Sequence, residues 1–407
     1  MSALPLDGVT VVSLEQAVAA PLATRHLADL GARVIKVERV GGGDFARDYD
    51  AAVLGLASHF VWLNRGKESL SVDLKDPDGL AAVRKLIAAA DVFVHNCAPG
   101  AVQRLGLDAG ELRREHPSLI VVNISGYGTE GPYRDRKAYD MLVQAETGLC
   151  SITGTPEAAA KTGIPASDIA AAMYALTSIQ AALFRRMRTG AGATVDVSLF
   201  DATTEWLGHP MYLQMYQGVQ PERMGLGHAA IAPYDAYPTS DGRLLIGVQN
   251  DRGWRTLVID VFGRPDLADD ERFVTNIDRV RHRAEVDAAV AEQTRRFSTG
   301  DLDRRLAAAG IPAAHLNEIR DLVAHPQLAA RDRWRDVDTE AGPIRAVLPP
   351  MTFADVQLPM GAVPALGQHT DALLAEVGLS CDQIARLRSA GVVHSGTATL
   401  TWHPPVP

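Results

Sequence analysis

Through the first half of the chain, short runs of consecutive apolar residues alternate with longer stretches whose apolar positions recur every three or four residues. VTVVSL (9–14), RVIKVE (33–38), SLSVDL (69–74), DVFVHN (91–96) and LIVVNISG (119–126) read as strands. PLATRHLADLG (21–31), GLAAVRKLIAAA (79–90) and AGELRREH (109–116) read as the intervening helices. Strands apolar on both faces and separated by helices predict an α/β fold with a parallel sheet covered on both sides. Two long helices then frame a short strand, TVDVSL (194–199). The first follows the turn at 163–168, and the second runs from Phe200 to about Gln217.

From residue 225 the pattern changes. GLGHAAIAPYDAYPTSDGRLLIGVQNDRGWRTLVIDVFG (225–263) carries turn signals at Pro238 and Asp241-Gly242, then a strand and a helix, and reads as a new domain. Residues 277–296 and 301–309 are charged amphipathic helices, and the tail holds one more helix at about 369–390. The last residues, HSGTATLTWHPPVP, read as frayed.

Composition narrows the class. At 407 residues the chain exceeds one typical domain, and 47% hydrophobic with 22% charged residues is ordinary for a globular enzyme. A net charge of −9 speaks against a nucleic-acid partner, which calls for a basic face. Cys97, Cys150 and Cys381 are too scattered to hold a metal, so reduced thiols in a cytoplasmic protein are expected, with no metal site. The apolar run 169–184 is broken by Thr177, Ser178 and Gln180 and falls short of the ~20 residues a membrane span needs. A nicotinamide or flavin cofactor is not expected either. Glu38 ends the second strand as a ribose-binding acid would, but EQAVAAPLATRHLADLG stands where a GxGxxG turn would have to be.

The stretch GIPASDIAAAMYALTSIQAALF (163–184) places one carboxylate, Asp168, at the start of a long and nearly uncharged helix. Its position reads as an N-cap, which alone is a structural role. Its surroundings give it more. LDGVTVVSLEQAVAAPLATRHLADLGARVIKVERVGGGDFAR (6–47), LNRGKESLSVDLKDPDG (63–79), DVFVHNCAPGAVQRLGL (91–107) and SGYGTEGPYRDRKAYD (125–140) precede the Gly-x-Pro-x-x-Asp turn. In order, spacing and identity these segments resemble the class III CoA-transferases, whose relatives include the α-methylacyl-CoA racemases. The resemblance is dense over residues 5–250 and thinner to about 375. It implies a large Rossmann-like domain (1–220, completed by 327–407), a smaller α/β domain (225–326) and an interlocked homodimer.

It also implies a site. CoA brings several phosphate charges and a pantetheine arm, so its site needs cations and a slot for the thiol. The CoA-binding positions carried over are Val18, Ala19, Arg39, Lys67, Asn96, Cys97, Arg104 and Lys137, with Cys97 standing where many relatives have Phe. Asp168 becomes the nucleophile. It is expected to stay ionised near neutrality, since a free Asp titrates at ~3.9, and to pass through an aspartyl anhydride and an aspartyl-CoA thioester. Backbone N–H groups near 17–19 and 168–169 are the candidate oxyanion donors. Tyr139 and Asn250 are expected to position substrate, and Glu146 to lie on a helix face.

No permanent cofactor is implied, only a CoA thioester as substrate and a small acid as acceptor. KAYDMLVQAETGL and AIAPYDAYPTSDG resemble the subgroup acting on short dicarboxylic acids with succinyl-CoA or mesaconyl-CoA, among them itaconate, mesaconate, malate and citramalate. Arg223, His228 and Arg252 are the candidate contacts for a distal carboxylate. Two alternatives compete with transfer. A 2-methylacyl-CoA racemase needs two acid/base groups, but their places hold Tyr139 and Asn250, a weak base and a group that takes no proton. A non-catalytic CoA-binding partner subunit has no need of Asp168.

Overall fold

The computed structural model describes residues 4–396 and divides them into two compact units. The first comprises residues up to 149, 162–209 and those from 332 onward; the second comprises 150–161 and 210–331. Residues 150–161 and 210–224 therefore group with the second unit. The C-terminal residues read as frayed lie, beyond 396, outside the described part.

The first unit is built on a seven-stranded sheet. Its strands are β1 (Thr10–Leu14), β2 (Arg33–Glu38), β3 (Lys67–Val72), β4 (Val92–His95), β5 (Ile120–Ser125), β6 (Thr194–Ser198) and β12 (Val393–His394). They lie in the order β12-β3-β2-β1-β4-β5-β6, and all pairings are parallel except that of β12 with β3. The helices of this half of the chain are α1 (Ala19–Asp29), α2 (Ser58–Asn64), α3 (Pro77–Ala89), α4 (Ala101–Arg104), α5 (Ala109–Glu115), α6 (Asp140–Glu146), α7 (Leu149–Ile152), α8 (Ala166–Thr189) and α9 (Leu199–Trp206).

The alternation of side chains along each strand divides the core in two. Val11, Val34, Val94, Ile120 and Val122 face α1 and α8, while Val12, Ile35, Leu70, Phe93 and Val121 face α3, α5 and the helices of the C-terminal tail. Leu14 lies opposite His95 in the β1–β4 register, so the turns leaving these strands emerge side by side at the carboxyl edge of the sheet. That edge is where open α/β sheets bind ligands.

Three predicted helices are interrupted. The one expected from Phe200 to Gln217 is α9 followed by α10 (Gly208–Gln217). Pro210 supplies no N–H to the turn that would join them. The one expected at 369–390 is two helices, Thr370–Glu376 and Cys381–Ser389. Gly378 turns the chain at φ +88° and Ser380 starts the second helix with a capping box to Gln383. The 277–296 stretch breaks at His282 into Asn276–Arg281 and Arg283–Thr294.

The hairpin β10 (Trp334–Val337) and β11 (Ile344–Val347) belongs to the first unit. In the second unit, β7 (Tyr234–Pro238), β8 (Arg243–Gly247) and β9 (Ala313–His315) form an antiparallel sheet over a core that includes Trp254 and Phe273. No helix among the described residues is long and apolar enough to cross a membrane.

Candidate active site

Asp168 lies on the first unit in the wall of a cavity of about 330 Å³, together with Gln16, Ala17, Ala19, Lys137, Tyr139 and Asp140. It is not the N-cap of its helix. Pro165 holds that position without any side-chain bond, α8 begins at Ala166, and Asp168 is the third helical residue. The capping carboxylate comes from elsewhere. Asp140, the first residue of α6, accepts from the Ser167 N–H (2.8 Å) and the Asp168 N–H (3.2 Å).

Two expectations change as a result. The N–H groups of 168 and 169 are not open to an oxyanion, because Asp168 donates to Asp140 and Ile169 donates to Pro165 O at 3.0 Å. Nor is Asp168 an ordinary carboxylate. Burial, with the adjacent Asp140 charge, pushes its carboxyl up to about 7.

The opposite wall is the turn leaving β1. Asn96 clamps it in both directions: its Oδ1 accepts from Gln16 N–H (2.9 Å) and its Nδ2 donates to Gln16 O (2.8 Å). Ala17 then adopts φ +61°, a left-handed conformation costly for a residue with a Cβ, and its N–H donates to Asp44 Oδ1 at 3.1 Å. Of the oxyanion donors expected at 17–19, Ala17 is thus occupied. Val18 and Ala19, both buried, open α1, where no earlier turn supplies acceptors.

A second cavity, of about 580 Å³, shares Gln16 and Cys97 with the first and is lined by Arg39, Lys75 and Arg104. Arg39 is steadied by its Nε bond to Gly43 O (2.9 Å), and Arg104 is exposed. Lys75 escaped notice in the sequence because it sits in a DLKDPDG turn, where a lysine looks like any solvated charge. Cys97 contributes bulk rather than reactivity, since burial raises its thiol to about 11.

Lys67 does not join this group. As the first residue of β3 it is buried, and its ammonium donates to Glu15 Oε1 (2.6 Å), Pro21 O (2.9 Å) and Asn64 Oδ1 (3.0 Å). An ammonium has three N–H groups, so none is left for a phosphate. It belongs instead to an ion cluster in which Lys36, fully buried, bridges Glu15 (3.5 Å) and Asp44 (2.8 Å). Asp44 is thus tied to the scaffold while holding Ala17.

The remaining candidates are placed as follows. Tyr139 is exposed at the N-cap of α6, and Glu146 pairs with Arg136 at 3.6 Å. In the second unit, Asn250 caps the helix Asp251–Thr256 through Gly253 N–H (2.9 Å). Arg223 donates to the carbonyls of Thr155 (2.8 Å), Pro156 (2.8 Å) and Ser151 (3.4 Å), so it serves the 150–161 segment and is not a free cation. His228 stacks on Tyr234 with ring centroids 5.4 Å apart, and Arg252 is exposed.

The family model for CoA-transferase family III matches residues 6–370. A succinate–glutarate CoA-transferase of Agrobacterium fabrum is 37% identical over 384 residues, covering 92% of this chain and 96% of that protein. A succinyl-CoA–D-citramalate CoA-transferase of Chloroflexus aurantiacus is 32% identical over 96% of this chain and 98% of its own length. The crystal structure of a CAIB/BAIF family protein from Brucella suis superposes with a TM-score of 0.81 at 36% identity, over 92% of this chain and all of that one. The chain belongs to CoA-transferase family III and is an enzyme of that family.

Proposed function

We propose that this enzyme moves CoA between succinyl-CoA, or a similar short diacid thioester, and a short dicarboxylic acid of the itaconate, mesaconate, malate, citramalate or glutarate class. The observation that carries the reading is a pair of neighbouring cavities with lining residues in common. One holds three cations suited to the phosphates of CoA, the other holds Asp168, and Gln16 and Cys97 stand in the walls of both. The family relatives acting on succinate, glutarate and citramalate support the substrate class.

In the mechanism, an Asp168 carboxylate oxygen attacks the thioester carbon of the donor. The C–S bond breaks, its electron pair leaves with the CoA thiolate, and a mixed anhydride remains. The thiolate attacks the aspartyl carbonyl, releasing the donor acid as its carboxylate and leaving an aspartyl-CoA thioester. The acceptor carboxylate then attacks that thioester and regenerates an anhydride and thiolate. The thiolate finally takes the acceptor's acyl group and frees Asp168. Val18 and Ala19 are the backbone donors assigned to the developing oxyanions, and Arg39, Lys75 and Arg104 hold the phosphate end. Attack requires the anion, so turnover rises with pH through about 7.

The dimer expected from the resemblance is part of the same proposal. Phe184 (63% exposed) and Met187 (85% exposed) on α8 leave apolar surface that a second copy of the chain would cover, and light scattering reads this directly.

The test is a mass-spectrometric panel of succinyl-CoA with each acid in turn, together with peptide mapping of enzyme quenched after mixing with succinyl-CoA. A new acyl-CoA, released succinate and a CoA adduct on the Asp168 peptide, absent in Asp168→Ala, are expected. Exchange of α-deuterium into a 2-methylacyl-CoA with no transfer to any acid would overturn the proposal in favour of racemisation.

A further inference from the structure

A carboxylate in the first turn of a long helix is normally stabilised by the unpaired N–H groups and the positive end of the helix dipole. Asp168 occupies such a place, but the N–H groups nearest it are taken by another carboxylate. Asp140, from a different helix and 28 residues earlier, takes the Ser167 and Asp168 N–H groups on its Oδ1. Its Oδ2 accepts from Gln144 Nε2 at 2.6 Å, one turn along α6. Gln144 is fully buried, and its amide cannot turn over, because its Oε1 already accepts from Thr162 N–H (3.0 Å) and Thr162 Oγ1 (3.1 Å). The Thr162 hydroxyl shares its single proton between Gln144 Oε1 and Ile164 O (2.7 Å), in the turn that leads to the nucleophile. Asp140 thus accepts three hydrogen bonds at a fixed place.

We propose that Asp140 is a positioning residue for Asp168: by occupying the first donors of α8 and setting a second carboxylate beside the nucleophile, it leaves the Asp168 anion under-stabilised, and Gln144 locks this arrangement. The proposal rests on the reading of Asp168 as the attacking group. It deepens that reading by naming what makes a carboxylate reactive toward a thioester. Acylation converts the Asp168 anion into a neutral anhydride or thioester and sends its charge away on the CoA thiolate. The anion beside Asp140 is relieved by that step, so the same contact that raises the basicity of the nucleophile also favours the acyl-enzyme.

Asp168 faces charged or titratable groups from each neighbouring segment: Asp140 on α6, Lys137 and Tyr139 just ahead of it, and Tyr49 after the turn that follows β2. Lys137 is the one cation among these four, and it is exposed. Asp140 alone among them is hydrogen-bonded to the backbone that carries Asp168.

The experiment compares wild type with Asp140→Asn and with Asp140→Asn/Gln144→Glu. Asn keeps an oxygen for the two N–H groups but turns its Nδ2 toward the Gln144 amide nitrogen. The glutamate of the double variant restores an acceptor there, still receives the Thr162 donors, and moves the negative charge away from Asp168. Two readouts are taken: the pH profile of kcat/KM for succinyl-CoA, and the titration of Asp168 by carboxyl-¹³C NMR, assigned by subtracting Asp168→Asn spectra. The acid limb and the NMR titration are expected to fall together by about one unit or more in both variants. The plateau rate is expected to drop severalfold, because a less basic nucleophile attacks more slowly.

A purely structural role would lower the rate at every pH without moving either curve, and that result overturns the proposal. Should Asp140→Asn alone fail to fold, the double variant carries the test. The NMR readout needs no turnover. If Asp168→Asn proves active, the nucleophile reading fails, while the titration still decides whether Asp140 governs Asp168.

Discussion

Replacing Asp168 by Asn removes the proposed nucleophile, and it should also make the protein more stable. The carboxyl is raised from 3.8 to about 7 by burial and by Asp140, so at neutral pH the fold carries an anion it would rather protonate. Below the unfolded-state value both states hold the proton and the penalty is absent. Between about 4 and 7 the folded state holds a proton the unfolded state has released, so the wild type loses stability as pH rises, and above about 7 the loss is complete. A shift of this size corresponds to ~4 kcal/mol at ~1.4 kcal/mol per unit. Asp168 keeps part of its surface in contact with solvent, and that screening reduces the expected effect to ~2 kcal/mol. For a chain of this size, ~2 kcal/mol raises the melting temperature by about 2–3 °C. Scanning fluorimetry of wild type and Asp168→Asn from about pH 5 to about pH 8 reads it: the variant should melt higher, with a margin that widens toward the alkaline end. A margin that is constant with pH, or a wild type that melts higher at the alkaline end, would show that the environment does not destabilise the anion and would refute the argument.

Other substitutions separate scaffold from site. Lys67→Met should leave the KM for the CoA thioester nearly unchanged while costing ~3–5 kcal/mol of stability by denaturant titration, since it strips a buried ion cluster of one partner. Arg104→Ala and Lys75→Ala should do the reverse, raising KM about tenfold each through a lost charge-assisted contact, with no change in melting temperature. Ala17→Gly should stabilise by ~1 kcal/mol, because glycine adopts the left-handed conformation freely, yet lower kcat by loosening the turn that faces Asp168. A gain in both stability and kcat would count against Ala17 being held for function.

How much of this was legible in the sequence depended on how far apart the interacting residues lie. Strands such as VTVVSL and DVFVHN announce themselves because a doubly covered parallel sheet needs apolar residues on both faces, and that demand is local. The turn and helix start beside Asp168 read locally only as an N-cap, and it was the resemblance of the preceding segments that marked this residue as the proposed nucleophile. The true cap was not legible, because the capping oxygen belongs to Asp140, 28 residues away, and no local rule reports that the donors of a helix have been claimed by another. Lys67 was misread in the same manner. Beside Arg65 and Gly66 it looks like a surface cation, and only its partner Glu15, 52 residues distant, shows it to be buried and fully used.

The two misread residues lead to one physical contrast. Around Lys36 and Lys67 the fold supplies every buried charge with partners: Glu15 binds both lysines and Thr24, and Asp44 binds Lys36 together with the N–H groups of Ala17 and Ala46. Charges satisfied in this way become rigid, which is why Asp44 can hold Ala17 in a conformation that an unsupported alanine would abandon. Across the cavity the opposite is done. The donors that could satisfy Asp168 are given to Asp140, and Asp140 is itself fixed by buried Gln144. A carboxylate meant to attack a thioester must be both immobile and poorly stabilised. These two requirements conflict in a single residue, and under the proposed mechanism they are divided: Asp140 takes the stabilising contacts and supplies the rigidity, while Asp168 keeps the reactivity.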